Sequence, residues 1–82
     1  MLIKVKCFAW AYEVTGSEEI EIEIKESGKV SDLRESLSEK FPEFMGRMES
    51  IAVSINQEFA GEGSIISASD EIALIPPISG GM

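Results

Sequence analysis

Residues 19–25 read Glu-Ile-Glu-Ile-Glu-Ile-Lys, an unbroken alternation of charged residues with isoleucine. Successive side chains of a β-strand point to opposite faces, so this pattern predicts a strand with one face against a core and the other in water. A slip of one residue in strand pairing would bury three glutamates, which is too costly to occur. The chain must therefore fold around a sheet that is covered on one face.

Four further segments are predicted to join this sheet. Residues 3–8 alternate in the same way, and so do residues 51–55. Residues 72–75 are apolar without intervening charges, which favours a central strand with both faces partly covered. A short edge strand at residues 58–60 is predicted within a segment rich in turn residues.

One main helix is predicted over residues 30–40. Leu33, Leu37 and Phe41 recur at a spacing of four, which places them on one face of a helix. Pro42 ends this helix, because a proline in a helix interior loses a hydrogen bond and clashes with the preceding turn. The helix should cover the apolar face of the sheet.

Two connections carry apolar residues. Residues 10–13 are predicted to form one helical turn that Gly16 ends. Residues 42–50 join the main helix to the next strand, and their apolar side chains are expected to cover the edge of the core. These side chains are Phe44, Met45 and Met48.

The order of elements is strand, strand, helix, strand, short edge strand and final strand. It predicts an α+β fold of the ubiquitin-like β-grasp type, with a mixed sheet of four to five strands packed on one main helix. The first and last strands should lie side by side and parallel in the middle of the sheet. The 82 residues are expected to form a single domain, residues 1–82, with residues 76–82 as an extended C-terminal tail.

Composition narrows the classes of function. Fifteen acidic against seven basic residues give a net charge of −8, which argues against nucleic acid as a partner and fits a basic protein partner better. The sequence contains neither an apolar run long enough to span a membrane nor a signal-peptide pattern, so no membrane partner is predicted and the cytoplasm is the expected location.

Histidine is absent, which excludes catalysis by Ser-His-Asp or Cys-His groups and histidine metal ligands. Cys7 is the only cysteine, so no disulfide can form within the chain. It shares the alternating face of Ile3 and Val5, and we interpret it as a small core residue and not as a reactive thiol. No metal site is predicted.

The end of the chain is the most informative motif, and its residues are Pro76, Pro77, Ile78, Ser79, Gly80, Gly81 and Met82. The two prolines favour an extended path that leads away from the body of the protein. Glycines without a Cβ can pass through a channel too narrow for other residues. An ordinary disordered terminus is the alternative at this stage.

Residues 70–81 read Asp-Glu-Ile-Ala-Leu-Ile-Pro-Pro-Ile-Ser-Gly-Gly, which resembles the closing segment of the small subunit of molybdopterin synthase. Residues 3–9 with residues 13–16 resemble the opening of that family, and residues 53–57 resemble its middle strand and turn. The likeness covers nearly the whole chain. A strand followed by Pro-Pro-x-Ser-Gly-Gly is a fairly specific motif, whereas a terminal Gly-Gly alone occurs in all ubiquitin-like proteins.

The resemblance implies a sulfur carrier. A ubiquitin-activating-type enzyme would use ATP to adenylate the carboxylate of Gly81, which would then become a thiocarboxylate. The tail would enter the large subunit of molybdopterin synthase and donate sulfur to a pterin precursor, with Gly80 allowing passage and residues 76–79 forming the stalk. The carrier would bind no cofactor itself and catalyse nothing alone.

Met82 departs from this pattern, because the working form of the family ends on the second glycine. With Met82 attached, the carbonyl of Gly81 belongs to an amide and cannot be adenylated. We predict that a peptidase removes Met82 before activation. An artefact, or a form used only for non-covalent docking, would also explain the extra residue.

Three other functions stay open on sequence grounds. The first is a ubiquitin-like modifier joined to lysines through Gly81. The second is a carrier for thiazole or another sulfur-containing metabolite, which the Pro-Pro stalk disfavours. The third is a non-covalent β-grasp interaction module that retains Met82.

A docking surface is expected next to the tail. Phe8 and Ile75 should point outward from the central strands, with Phe59 nearby on the edge segment. Together with the stalk residues Pro76, Pro77, Ile78 and Ser79 they form the predicted partner-binding set. Alternatively, residues 42–50 fold over them. Glutamates scattered through the sequence are expected to rim the surface, namely Glu49, Glu58 and Glu71.

Overall fold

The computed structural model describes residues 1–77 and contains five strands and two helices in this range. They are β1 (Leu2–Cys7), α1 (Trp10–Thr15), β2 (Glu19–Glu23), α2 (Val30–Lys40), β3 (Ala52–Ile55), β4 (Glu58–Ala60) and β5 (Ile72–Ile75). The predicted bounds of α2, β4 and β5 are confirmed. No helix among the described residues is long and apolar enough to cross a membrane.

The strands form one mixed sheet in the order β2-β1-β5-β3-β4. β1 and β5 pair in parallel at its centre, as predicted, while the other neighbours are antiparallel. β2 is shorter than the predicted strand, because its partner β1 begins only at Leu2, opposite Glu23. Beyond that pair, the Ile24 N–H donates to the carbonyl of Met1 (2.9 Å) and the N-terminal amino group of Met1 donates to the carbonyl of Ile24.

The core lies between one face of the sheet and α2. We call this the inward face; alternate residues of every strand contribute to it, and Leu33 and Leu37 of α2 pack against it with no exposed surface. Full burial of one such side chain contributes about 1.5–3 kcal/mol. Phe41, the third residue of the predicted stripe, is half-buried, because it is the residue that ends the helix.

The start of α2 is stabilised by an acidic side chain. The Asp32 carboxylate accepts a hydrogen bond from the backbone N–H of Lys29 (2.8 Å), the residue that caps the helix. A carboxylate in the first turn also interacts favourably with the helix dipole. At the other end, Phe41 donates its N–H to the carbonyl of Leu37 (2.8 Å), and Pro42 prevents continuation.

The connection between α2 and β3 forms two 3-10 turns, Pro42–Phe44 and Met48–Ser50. Phe44 and Met48 are buried, which confirms their predicted role. Met45 is 68% exposed, so its prediction as core cover is wrong: it follows the first turn in extended conformation and points to solvent. The ring of Phe44 lies 6.1 Å from that of Trp10, so the connection packs on the helical side and leaves the opposite face of the sheet open.

Candidate docking surface beside the C-terminal tail

The face of the sheet turned away from α2 carries an apolar depression of about 310 Å³, which we call the outward groove. Phe8, Phe59 and Ile75, the three body residues predicted to bind a partner, all line it. The structure therefore brings together side chains from β4, β5 and the end of β1. The remaining lining residues are Lys6, Ser54, Gln57, Glu71 and Ala73.

Strand register produces the groove. Lys6 pairs with Ala73, Ala73 with Ser54, and Ser54 with Phe59, so these residues form one row across four strands. The small side chains of Ala73 and Ser54 are almost fully buried and form the floor. Phe59, with 77% of its surface exposed, and Phe8, with 50%, stand on either side. A partner side chain can thus enter between two aromatic rings.

Ile75 lies in the next row, opposite Ala52 of β3. The N–H of Phe8 donates to the carbonyl of Leu74 (3.3 Å), which extends the β1–β5 ladder and holds Phe8 beside Ile75. Ile75 is 36% exposed and is the last residue of β5. The chain consequently leaves the sheet directly beside the outward groove.

An ion pair closes one end of the groove. Lys6 Nζ lies 3.0 Å from Glu71 Oε2, and both side chains are about half exposed. The hydrogen bond to Glu71, followed by its charge, raises the pKa of Lys6 above the usual 10.5. Glu71 is in turn held by its backbone N–H, which donates to Asn56 Oδ1 (2.9 Å). This end of the groove is therefore polar and well ordered.

The predicted acidic rim is only partly correct. Glu71 lines the outward groove, as expected. Glu58 pairs with Ile55 and so alternates to the side of the sheet opposite Phe59. Glu49 lies with Arg34 beside Met48, away from the groove. Sequence position alone could not assign Glu58 to a face of the sheet, because the turn before β4 sets the register of that strand.

The tail begins immediately after β5. Pro77 is exposed and Pro76 is buried, so only Pro77 of the two offers a free surface in the isolated chain; partner binding by both prolines stays a prediction. Pro76 follows the last residue of β5 directly, which leaves Pro77 as the first tail residue with a free surface. The other predicted site residues lie outside the described residues, and these are Ile78, Ser79, Gly80 and Gly81.

Sequence reasoning missed the floor of the groove and two of its polar lining residues, Lys6 and Gln57. Ala73 and Ser54 are unremarkable in sequence, and their shared row depends on pairing between strands that are distant along the chain. Gln57 is brought in by a two-residue turn in which Asn56 and Gln57 both have positive φ (54° and 71°). The sequence did carry one usable signal, the alternation of side chains along each strand. Every second residue counted from Phe8 or Ile75 had to share their outward face.

Cys7 is confirmed as a core residue. It is 4% exposed and lies on the inward face, and its thiol donates a weak hydrogen bond to the carbonyl of Val5 (3.8 Å). Burial raises the pKa of the thiol, so the nucleophilic thiolate is disfavoured. Among residues 1–77 no group of three metal-ligating acidic, cysteine or histidine side chains occurs.

These features define a class of protein: a ubiquitin-like β-grasp domain with an exposed apolar groove beside the root of its C-terminal tail. Residues 5–81 match the ThiS family. The chain belongs to this family, a conclusion that its relatives reinforce.

Among those relatives, the molybdopterin synthase sulfur carrier subunit of Arabidopsis thaliana is 33% identical over 79 residues, covering 96% of this chain and 82% of the relative. The crystal structure of SAMP1 from Haloferax volcanii superposes with a TM-score of 0.86 at 31% identity, covering 99% of this chain and 100% of that one. This chain is therefore similar both to a sulfur carrier and to a small archaeal modifier.

A chain of the same fold occurs in a solved complex of subunits 1 and 2 of molybdopterin-converting factor from Helicobacter pylori. It has a TM-score of 0.68 and 23% identity, and the match covers 99% of this chain and 100% of that one. At this identity the likeness establishes only the shared β-grasp fold.

Proposed function

We propose that this chain is the sulfur carrier subunit of a molybdopterin synthase. In this proposal the carboxylate of Gly81 is adenylated, converted to a thiocarboxylate, and inserted into the large subunit to donate sulfur to a pterin precursor. Gly80 provides the narrow backbone that passes through the channel. The chain acts as a protein cosubstrate, and the ATP is consumed by the activating enzyme.

The observation that carries the proposal is the position of the outward groove. Ile75 both lines the groove and ends the strand from which the tail leaves. A partner seated on Phe8, Phe59 and Ile75 therefore holds the tail at its own surface. Exposed apolar clusters of this kind mark protein interfaces, and buried aromatic anchors contribute most of their binding energy.

The chemistry needs little from the carrier itself. A carboxylate is a poor acyl donor, but its mixed anhydride with AMP has a good leaving group that sulfur can displace. Once the body is docked, the reactive end is delivered in an effectively unimolecular step. Because the sequence contains no histidine, the proposal assigns acid–base chemistry near neutral pH to the partner proteins.

The proposal requires a free carboxylate at Gly81. Any residue that follows Gly81, including Met82, must be cleaved before adenylation, because an amide carbonyl does not react with ATP in this way. A peptidase is therefore an expected partner, in addition to the activating enzyme and the large subunit. The proposed order is cleavage, adenylation, sulfur loading and delivery.

Sulfur loading can be measured directly. The purified chain ending at Gly81 is incubated with ATP, a ubiquitin-activating-type enzyme and a sulfide source, and its intact mass is followed. We expect a gain that corresponds to exchange of one oxygen for sulfur. The chain that retains Met82 and a chain that lacks Gly81 should both show no gain. If the trimmed chain also stays unchanged, the proposal is wrong.

The role of the outward groove needs a matched pair of variants. Phe59→Ala removes an exposed apolar side chain from the groove, whereas Ile65→Ala removes one that is 61% exposed and lies outside it. We expect the first to slow sulfur loading about tenfold, as for loss of an interface anchor, and the second to leave it unchanged. Equal effects of both variants would exclude the groove as the docking surface.

A second function is favoured by the similarity to SAMP1, whose name denotes a modifier protein. In that case activated Gly81 would form amide bonds with lysines of other proteins. Mass spectrometry of cells that express the chain separates the two functions. A terminal thiocarboxylate supports the carrier, and a Gly-Gly remnant on target lysines supports the modifier.

A further inference from the structure

A second concavity lies on the other side of Phe8 from the outward groove. We call it the α1 cleft; it is open to solvent, has a volume of about 690 Å³, and lies between the end of β1, the first turns of α1 and the loop that precedes β2. Apolar atoms make up most of its surface. The cleft is lined by Lys6, Cys7, Phe8, Ala9, Tyr12, Glu13, Glu18 and Glu19.

The walls of the α1 cleft are aromatic. Phe8 is 50% and Tyr12 45% exposed, although both are large side chains that gain from burial. Neither packs against the core cluster. Two half-exposed rings in one concavity offer an apolar contact surface for the stem of a long side chain, and their faces attract cations.

The charge of the cleft is strongly biased. Three glutamates line it, against one lysine. That lysine, Lys6, is engaged by Glu71 at 3.0 Å and pairs in register with Glu19. Within residues 1–77, Glu13 and Glu18 form no ion pair. Two carboxylates are therefore available to a positively charged ligand.

Backbone bonds hold the cleft in shape. The N–H of Cys7 donates to the carbonyl of Glu18 (2.8 Å), and the N–H of Tyr12 donates to that of Ala9 (3.0 Å). Ala9 has φ 52° and ψ −133°, a conformation that non-glycine residues rarely adopt. Such local strain persists where the surrounding structure imposes it, and it is concentrated at functional sites.

We infer that the α1 cleft is a docking site for an arginine- or lysine-bearing segment of a protein partner. The aliphatic part of the basic side chain lies between Phe8 and Tyr12, and its charged head group reaches Glu13 and Glu18. Charge complementarity selects this occupant over an acidic or purely apolar segment. Phe8 is shared with the outward groove, so one partner can occupy both concavities around it.

This docking site does not depend on sulfur transfer, so it can be tested without activation. The probe is the peptide acetyl-Gly-Arg-Leu-Arg-Gly-amide, titrated into the isotope-labelled full-length chain while amide chemical shifts are recorded. We expect saturable shifts centred on Tyr12, Glu13 and Glu18. A counterpart peptide with glutamate in place of both arginines should produce none.

Paired variants separate local recognition from net charge. Glu13→Gln combined with Glu18→Gln should weaken peptide binding roughly fivefold, the effect of losing two partly screened ion pairs. Glu35→Gln combined with Glu39→Gln makes the same change of charge on exposed positions of α2 and should leave binding unchanged. Equal weakening by both pairs would overturn the inference, since it would indicate only nonspecific attraction.

The aromatic walls are tested by Tyr12→Ser. It should weaken binding at both low and high salt, whereas neutralising the glutamates should matter much less in about 0.5 M salt, where the screening length is only a few ångströms. Ile65→Ala, outside both concavities, should not affect peptide binding. The absence of saturable shifts in the unaltered chain, or saturation centred on the outward groove, would overturn the proposed site.

Discussion

The two faces of the sheet are built from the same strands but differ in how far their apolar side chains are buried. In β5, Leu74 on the inward face is fully buried, while its neighbour Ile75 on the outward face is 36% exposed. At the end of β1, Cys7 is 4% and Phe8 50% exposed. Both faces present apolar side chains here, so hydrophobicity does not distinguish them. What distinguishes them is that α2 covers one face and nothing among residues 1–77 covers the other.

This difference allows a small domain to stabilise its fold with one face and to keep the other available for binding. The inward face supplies the buried area that offsets the loss of chain entropy. The outward groove adds little to folding, and its rings stay half or more exposed in the isolated chain. An exposed apolar surface of this kind promotes aggregation unless a partner covers it. The burial of the two faces indicates that substitutions on the outward face should change the free energy of unfolding much less than substitutions on the inward face.

Leu74→Ala and Ile75→Ala form the sharpest comparison, because the residues are adjacent in one strand. We expect Leu74→Ala to lower the free energy of unfolding by about 2–5 kcal/mol, since it leaves a cavity in the core. Ile75→Ala should cost less than about 1.5 kcal/mol, because the exposed part of the side chain gains nothing on folding. Urea unfolding monitored by circular dichroism gives both values. Equal losses would show that the outward face is part of the folding core.

Cys7 allows the inward face to be probed chemically. We expect iodoacetamide to react with Cys7 at least about a hundredfold more slowly in the native chain than in urea, because reaction requires opening of the structure. Burial raises the pKa of the thiol, so the folded state binds this proton more tightly than the unfolded state. The resulting stabilisation is complete below the unfolded value of 9.0 and is lost as pH rises through the higher folded pKa.

The control moves the thiol by one residue to the outward face. Phe8→Cys in a Cys7→Ala background should react within about tenfold of the unfolded rate, because the side chain is solvent-accessible. Rapid alkylation of native Cys7 would contradict the assignment of the two faces.

Much of this division could be predicted from the sequence. Residues 19–25 alternate with a period of two, which specifies a strand. Leu33 and Leu37 are spaced by four, which specifies one face of a helix. Alternation along the first and last strands then predicted that Phe8 and Ile75 lie on the outward face, and the structure confirms this. Strong local patterns were sufficient for the fold and for the three body residues of the groove.

The predictions that failed depended on contacts between distant segments. Met45 is an apolar residue at the edge of a 3-10 turn, where neither the strand nor the helix periodicity predicts burial. The side of the sheet occupied by Glu58 depends on the turn at Asn56 and Gln57, where positive φ is common for asparagine but not for glutamine. The α1 cleft likewise requires the loop before β2 to meet the end of β1, a contact that no local pattern encodes.

Phe59→Thr tests whether the outward groove is dispensable for folding. Phe59 is 77% exposed on the edge strand, and threonine retains a preference for strands. We expect a change in the free energy of unfolding within about 0.5 kcal/mol, as for other surface substitutions. Thermal and urea unfolding give the measurement, and Ile65→Thr is the matched control outside the groove. A loss above about 2 kcal/mol would mean that the edge of the sheet needs this ring for its stability.

The ion pair between Lys6 and Glu71 should have the smallest effect. Lys6→Met is expected to lower the melting temperature by no more than a few degrees, because exposed pairs are screened by solvent. The pKa of Lys6 is raised in the folded state, so the stabilisation is fully present below 10.5 and disappears as pH rises through the higher folded value. Melting curves of the two chains should therefore converge only at strongly alkaline pH, whereas Lys4→Met, on the same face, should show no such convergence. A difference that persists there would mean that the aliphatic stem of Lys6, and not its charge, supports the outward face.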